Sequence, residues 1–136
     1  MKLIKTKFED TYIIKIKKIK DERGFFMRGF CESVFLKTGV KFKIKQTNFS
    51  YKKKKHTLRG FHFQKKPFSE SKLITCIKGK LLIVLIDINK KSKNYLKHIK
   101  IILSSDLNKS LLISKNCATA YLTLSDDTLV FYYMSD

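Results

Sequence analysis

The chain has 136 residues, enough for one domain with a buried core, and 43% of them are hydrophobic, which excludes a disordered chain. No apolar run approaches the roughly 20 residues that span a bilayer, and the N-terminal residues lack the continuous apolar segment of a signal peptide. The cysteines Cys31, Cys76 and Cys117 are scattered, which favours free thiols in a reducing compartment. We therefore expect one soluble, cytoplasmic domain over residues 1–136 with no membrane partner.

The formal net charge of +19 is typical of proteins that bind nucleic acids. However, only Arg23, Arg28 and Arg59 are arginines, which leaves 27 of the 30 basic residues as lysine, and bidentate recognition of phosphate or guanine favours arginine. The lysines are also spread out, except for Lys52–Lys55. We predict no nucleic-acid partner. The alternative, a basic nucleic-acid-binding β domain, would show a clustered basic face with exposed aromatic side chains.

The first half of the chain predicts strands, turns and one helix. Tyr12–Ile19 alternates loosely between apolar and polar residues and then reaches the turn signal Lys20–Gly24. Phe30–Thr38 predicts a short helix closed by Gly39. Phe42–Ser50 is typical of a strand, and the lysine run after it predicts an exposed hairpin tip leading into the strand Leu58–Gln64.

The second half predicts strands only. Ser71–Ile77 and Lys80–Ile88 are rich in branched residues and meet at Lys78–Gly79, which predicts a hairpin. Further short strands separated by polar turns are predicted at Lys97–Leu103, Ser110–Ser114, Ala120–Leu124 and Thr128–Met134. Such a series indicates an all-β antiparallel sandwich or barrel with at most one short helix.

The octapeptide Thr57–Gln64 sets His62 among apolar residues, where a histidine is drier than on a surface and poised to take a proton near neutral pH. Strand alternation would send His62 and Arg59 to opposite faces. Both can serve one pocket only if the strand bulges or twists, and Gly60 is the residue that would allow it. The alternative is that His62 is an ordinary hydrogen-bonded histidine of the core.

No cofactor or metal is indicated by the motifs. His62, His56 and His98 have no neighbouring ligands at metal-binding spacing. The chain also contains neither G-x-G-x-x-G nor G-x-x-x-x-G-K, so neither a dinucleotide nor a P-loop nucleotide site is predicted.

Six segments carry a family resemblance in their order and spacing. They are Asp21-Glu-Arg-Gly-Phe-Phe26, Gln46-Thr-Asn-Phe-Ser50, the octapeptide, Glu70-Ser-Lys-Leu73, Tyr121-Leu-Thr-Leu-Ser-Asp126 and Phe131-Tyr-Tyr-Met-Ser-Asp136. From about Phe8 onward the chain resembles the dTDP-4-dehydrorhamnose 3,5-epimerase family. The resemblance implies a double-stranded β-helix (cupin, or jelly-roll) fold, no cofactor, and a homodimer that exchanges its N-terminal part. Tyr12–Ile19 is the edge strand that we expect to take part in this exchange.

The resemblance also implies an activity and its residues. The activity is epimerisation at C3 and/or C5 of a nucleotide-diphosphate-linked 4-keto-6-deoxy sugar. His62 would remove the proton, Lys72 would stabilise charge on the C4 oxygen, and Tyr132 would return a proton on the opposite face. Substrate binding would fall to the matching positions Arg23, Phe26, Gln46, Asn48 and Arg59, and to Thr119. On sequence alone, each of these residues also has an ordinary structural role in a strand, turn or core.

Two departures from the family pattern bear on activity. Thr119 stands where the family has a histidine, and threonine hydrogen-bonds but does not titrate near pH 7. The sequence ends at Asp136, whereas the family continues with a second tyrosine and the aspartate that orients the catalytic histidine. The alternative to an active epimerase is therefore a shortened, catalytically weak relative that only binds the nucleotide sugar.

Overall fold

Twelve short strands and one helix make up the chain, of which this computed structural model describes all 136 residues. In chain order the elements are β1 (Lys2–Lys5), β2 (Tyr12–Lys15), β3 (Lys18–Asp21), β4 (Gly24–Met27), α1 (Glu32–Lys37), β5 (Gln46–Lys52), β6 (Leu58–His62), β7 (Lys72–Lys78), β8 (Lys80–Asp87), β9 (His98–Ser104), β10 (Lys109–Ile113), β11 (Cys117–Thr123) and β12 (Thr128–Met134). No helix has the length and apolarity that a membrane crossing needs.

The strands form two main antiparallel sheets. The six-stranded sheet has the order β1-β2-β10-β7-β12-β5, and the four-stranded sheet has the order β6-β11-β8-β9. Strands β3 and β4 make a separate two-stranded hairpin. Consecutive strands repeatedly change sheet, as from β10 to β11 and back to β12. This pairing of strands distant in sequence is the jelly-roll arrangement, so the predicted all-β fold with one short helix is confirmed.

Period-two alternation divides the six-stranded sheet into two apolar faces. Its inner face contributes Ile74, Leu111 and Val130 to an eleven-residue cluster against Leu81, Ile83 and Leu85 of β8. Its outer face carries Leu73 and Leu112, which pack with Phe35 of α1 and with Phe42 in a second cluster. The inner cluster lies between the two sheets, and two of its residues, Ile74 and Val130, also line the cavity described below.

Local signals located the helix and the first turn correctly. The helix predicted at Phe30–Thr38 is α1, and Gly39 follows it with φ +78°, a conformation that glycine adopts without strain. The turn signal at Lys20–Gly24 connects β3 to β4, where the Asp21 carboxylate accepts a hydrogen bond from the Arg23 amide at 2.9 Å. The strand predicted at Phe42–Ser50 begins later, at Gln46, because Phe42 leaves the sheet to pack beside α1.

Three predictions about pairing were wrong. The strands on either side of Lys78–Gly79 do not form a hairpin, because β7 and β8 belong to different sheets and Gly79, with φ +83°, turns the chain from one to the other. Lys52–Lys55 is not a hairpin tip either, since β5 pairs with β12 and β6 with β11. Tyr12–Ile19 is not an edge strand: it splits into β2 and β3, and β2 is paired on both sides.

Candidate active site between the two sheets

A cavity of about 210 Å³ lies at one end of the sandwich, with walls from both sheets. Its lining residues are Ser50, Arg59, His62, Lys72, Ile74, Thr119, Tyr121, Val130, Tyr132 and Met134. Five residues predicted for the site therefore meet here: Arg59, His62, Lys72, Thr119 and Tyr132. They come from β6, β7, β11 and β12, which are distant in sequence and adjacent only in the folded sandwich.

A bulge in β6 brings Arg59 and His62 to the same cavity, as expected from Gly60. Opposite β11, Thr119 faces His62 but Tyr121 faces Arg59, so one residue of register is lost between them. Gly60 adopts φ +119°, and a Cβ at this position would lie 2.6 Å from the Ala120 Cα and the Thr119 oxygen. Only glycine fits both the conformation and the space.

His62 is more exposed than its apolar sequence neighbours suggested. It lies on β6, an edge strand of the four-stranded sheet whose residues are all exposed. Neighbouring Phe61 and Phe63 are each 49% exposed, so they do not shield the imidazole as a core would. The expectation of a dry histidine was therefore wrong for the single chain, and His62 lies at the open side of the cavity.

Tyr132 and Lys72 form the opposite wall. Burial raises the pKa of the Tyr132 phenol above its usual value; the nearby Tyr121 and Glu70 act in the same direction and the positive charge of Arg59 opposes them. The phenol is thus held in its protonated, donating form at neutral pH. The Lys72 ammonium lies 3.1 Å from Oε1 of Glu70, and its side chain is 17% exposed.

Gln46 and Asn48 border the cavity without lining it. They share one face of β5 with Ser50, which does line it, because side chains alternate along a strand. The Gln46 amide donates to Oδ1 of Asn48 at 3.0 Å, and the Asn48 amide lies 3.1 Å from the Met134 sulfur. Both are therefore placed at the rim beside β12.

Arg23 and Phe26 lie outside the cavity of their own chain. Both belong to the β3–β4 hairpin, which pairs with neither main sheet. The Arg23 guanidinium instead forms an exposed ion pair with Asp21 at 2.7 Å, and it holds the pKa of that carboxyl below its usual value. Phe26 is 61% exposed, so it fills neither the cavity nor the core. Within one chain, therefore, Arg23 does not join His62 at the cavity as its predicted role in substrate binding requires.

Sequence reasoning missed several lining residues that strand alternation could have found. Ser50, Tyr121 and Met134 each lie two positions from a predicted residue, namely Asn48, Thr119 and Tyr132. The Tyr121 hydroxyl lies 3.3 Å from Oγ of Ser50, which joins the two sheets across the cavity.

No group of three or more His, Cys, Asp or Glu side chains lies close enough to hold a metal ion. The side chains that line the cavity include an imidazole, an ammonium, a guanidinium and two phenols. A base and an acid facing one another across a small space suit proton transfer to and from a bound carbon acid.

Comparison with known proteins identifies the family. The family model for dTDP-4-dehydrorhamnose 3,5-epimerase matches residues 5–136. A dTDP-4-dehydrorhamnose 3,5-epimerase from Shigella flexneri is 37% identical over 133 residues, which cover 97% of this chain and 73% of that protein. The chain belongs to the dTDP-4-dehydrorhamnose 3,5-epimerase family.

Solved structures of this family share the fold. The epimerase from Bacillus anthracis, crystallised with TDP and pyrophosphate, superposes with a TM-score of 0.96 at 34% identity and covers 99% of this chain and 77% of its own. The dTDP-6-deoxy-D-glucose-3,5-epimerase from Legionella pneumophila, in complex with dTDP-4-keto-L-rhamnose, gives 0.92 at 29% identity and covers 99% and 71%. These superpositions show that the chain has the fold of this family, as the resemblance implied.

Proposed function

We propose that this protein is an isomerase that epimerises C3 and/or C5 of a nucleotide-diphosphate-linked 4-keto-6-deoxy sugar, in the synthesis of deoxysugar precursors. The observation that carries the proposal is the meeting of His62, Lys72 and Tyr132 around one cavity, with His62 on one sheet and Tyr132 on the other. The family membership agrees with it.

His62 is the proposed base. C3 and C5 flank the C4 ketone, so the carbanion left by proton removal spreads its charge onto the C4 oxygen. The Lys72 ammonium would stabilise the negative charge on that oxygen in the transition state. A positive charge held in place inside a protein cavity does this more strongly than one in water. Tyr132, protonated and on the other sheet, would return a proton on the opposite face of the ring and so invert the centre. The substrate and product have the same redox state, so no redox cofactor is required.

The cavity is smaller than the roughly 300–1,000 Å³ of pockets that enclose a whole drug-sized ligand. We infer that it takes the sugar ring, with the diphosphate on its open side near Arg59. A planar guanidinium suits diphosphate binding. Thr119 would hydrogen-bond the sugar. The Lys52 ammonium, 2.6 Å from Oγ of Ser50, adds positive charge near the rim.

A homodimer would complete the site. Arg23 and Phe26 lie on a hairpin that protrudes from its own chain, and Phe25 and Phe26 are both more than 60% exposed. The outer edge of β5 is unpaired, and beside it Phe49 is 73% exposed. An unpaired edge and an exposed apolar hairpin are both suited to a partner chain. We propose that each hairpin brings its Arg23 to the partner's cavity. Light scattering after gel filtration should then show a dimer at micromolar concentration, and a monomer would overturn this assembly.

A reducing, cytoplasmic compartment fits the three free cysteines, two of which, Cys76 and Cys117, are buried. Activity itself is tested by incubating the protein with a thymidine-diphosphate-linked 4-keto-6-deoxy sugar and following the ring-proton couplings by NMR. Inverted couplings at C3 or C5 are expected and show which centre reacts. Binding of the sugar nucleotide without inversion would instead support the alternative of a relative that only binds its ligand.

A further inference from the structure

Glu70 is a buried carboxylate that none of the roles described so far requires. It lies two residues before the first residue of β7 and is 6% exposed, with its side chain at 2%. Charged carboxylates are seldom fully buried unless both oxygens find partners, because leaving either one unpaired costs free energy.

One oxygen of Glu70 is paired. Oε1 lies 3.1 Å from the Lys72 ammonium, which lines the sugar cavity. This pairing fixes the end of a long, flexible side chain, so that the positive charge is already in place when a substrate enters. Glu70 itself does not line that cavity, so it would act through Lys72 and not by touching the sugar.

The other oxygen, Oε2, is buried and has no hydrogen-bond partner. Glu70 lines a second, very small space of about 10 Å³ that shares His62, Lys72 and Thr119 with the sugar cavity. A space of this size holds about one water molecule. The hydrogen-bond donors that line both spaces, apart from the ammonium already used, are the His62 ring and the Thr119 hydroxyl. Besides His62 and Glu70, the charged or titratable groups around the two spaces are Arg59, Lys72, Lys115, Cys117, Tyr121 and Tyr132.

We propose that Glu70 positions both His62 and Lys72: its Oε1 holds the Lys72 ammonium, and its Oε2 accepts a hydrogen bond from a water in the small space, which in turn accepts one from the His62 ring. The proposal rests on the proposed epimerisation. The ring nitrogen that faces Oε2 keeps its proton, which leaves the other nitrogen free to accept the proton from the sugar carbon. The imidazolium formed in that step is then stabilised by the carboxylate behind it.

The test compares wild-type protein with Glu70→Gln, which keeps the shape and removes the charge, and with Glu9→Gln as an exposed control. The first measurement gives kcat and KM for epimerisation. The second is the tautomer of His62, read from long-range proton–nitrogen NMR spectra of ligand-free protein, which needs no activity. We expect Glu70→Gln to lower kcat about 10-fold or more with KM nearly unchanged, and to convert one His62 tautomer into a mixture. Glu9→Gln should match wild type in both.

Each outcome decides one question. An unchanged kcat and an unchanged His62 spectrum in Glu70→Gln would overturn the proposal. A lower kcat with an unchanged His62 spectrum would overturn the link to His62 and leave Glu70 acting on Lys72 alone. If wild-type protein does not epimerise, the proposed function fails, whereas the His62 spectra still decide whether Glu70 orients the ring.

Glu70→Gln leaves the Lys72 ammonium without its partner and could prevent folding. In that case the wild-type spectrum alone is decisive, since a ring held by Oε2 gives one neutral tautomer. A mixture of both tautomers in wild-type protein would contradict the hydrogen bond. Glu70→Asp, which keeps the charge on a shorter side chain, should retain more of kcat than Glu70→Gln, which a purely steric role would not predict.

Discussion

At the residue scale, inversion needs a base and an acid that reach one carbon from opposite sides. In the proposed mechanism the base is His62, which lines the cavity from β6, and the acid is Tyr132, which lines it from β12 on the other sheet. Burial keeps the phenol protonated, whereas His62 lies on an exposed strand. The two groups therefore occupy different environments that suit their opposite roles.

Tyr132→Phe separates these two roles. Without the phenol, His62 can still remove a proton and return it to the same face, so we expect deuterium from D₂O to enter the sugar while inversion slows by about 100-fold or more. Tyr133→Phe is the matched control, because Tyr133 is adjacent on β12 but packs against the outer cluster. NMR of the product measures both rates. Inversion at the wild-type rate in Tyr132→Phe would show that another group donates the proton.

At the element scale, the bulge in β6 determines which side chains reach the cavity. A regular strand would send Arg59 and His62 to opposite faces, and the register shift opposite Thr119 and Tyr121 brings them together. The proposed diphosphate-binding residue, Arg59, and the proposed base, His62, thus both depend on the backbone conformation of Gly60.

Gly60→Ala should disrupt this bulge. Its Cβ would lie 2.6 Å from backbone atoms of β11, and φ +119° is unfavourable for alanine, so we expect a loss of about 2 kcal/mol or more in the free energy of unfolding. Gly39→Ala is the control, since Gly39 also has a positive φ but nothing lies within 4 Å of its Cβ position. Urea unfolding measures both. Equal losses in the two variants would show that the close approach to β11 is unimportant.

Most strands could be predicted from the sequence, but their partners could not. Thr128–Met134 and Ser71–Ile77 are rich in the branched and aromatic residues that favour a strand, and that composition is local. Whether β7 pairs with β8 across Gly79 depends on how the sheets pack, which is a property of the whole chain. The predicted hairpins failed for this reason.

The same distinction holds for the site: residues in a recognisable motif could be predicted, but positions that depend on packing between distant segments could not. Residues matching a family motif on the inner faces, such as His62 and Tyr132, could be named in advance. The position of Arg23 could not, because it depends on a hairpin that is detached from both sheets. Nor could Glu70, whose significance comes from its burial and its unpaired oxygen and not from its residue type.

At the scale of the whole molecule, two buried thiols link stability to alkaline pH. Burial raises the pKa of Cys76 and of Cys117 from 9.0 to about 11. A thiol whose pKa is higher in the folded state contributes stability that is complete below the unfolded value of 9.0 and is lost as pH rises towards 11. Both side chains belong to the inner core cluster, so their ionisation would weaken the contact between the sheets.

We therefore expect the free energy of unfolding to fall between pH 8 and pH 10 by on the order of 1 kcal/mol for each thiol. The double variant Cys76→Ala and Cys117→Ala should show a smaller fall, while any constant loss from the missing sulfur atoms cancels in the difference. Urea unfolding at the two pH values measures it. The same fall in wild type and the double variant would assign it to other groups.

If the proposed function is right, His62 removes a proton next to the keto group of a sugar bound in the cavity between the two sheets. The most direct test is NMR of a thymidine-diphosphate-linked 4-keto-6-deoxy sugar incubated in D₂O with wild-type protein or with His62→Ala. Deuterium should appear at C3 or C5 with wild type and be absent with the variant. No exchange with wild type while the sugar nucleotide binds, or equal exchange with His62→Ala, would contradict the claim.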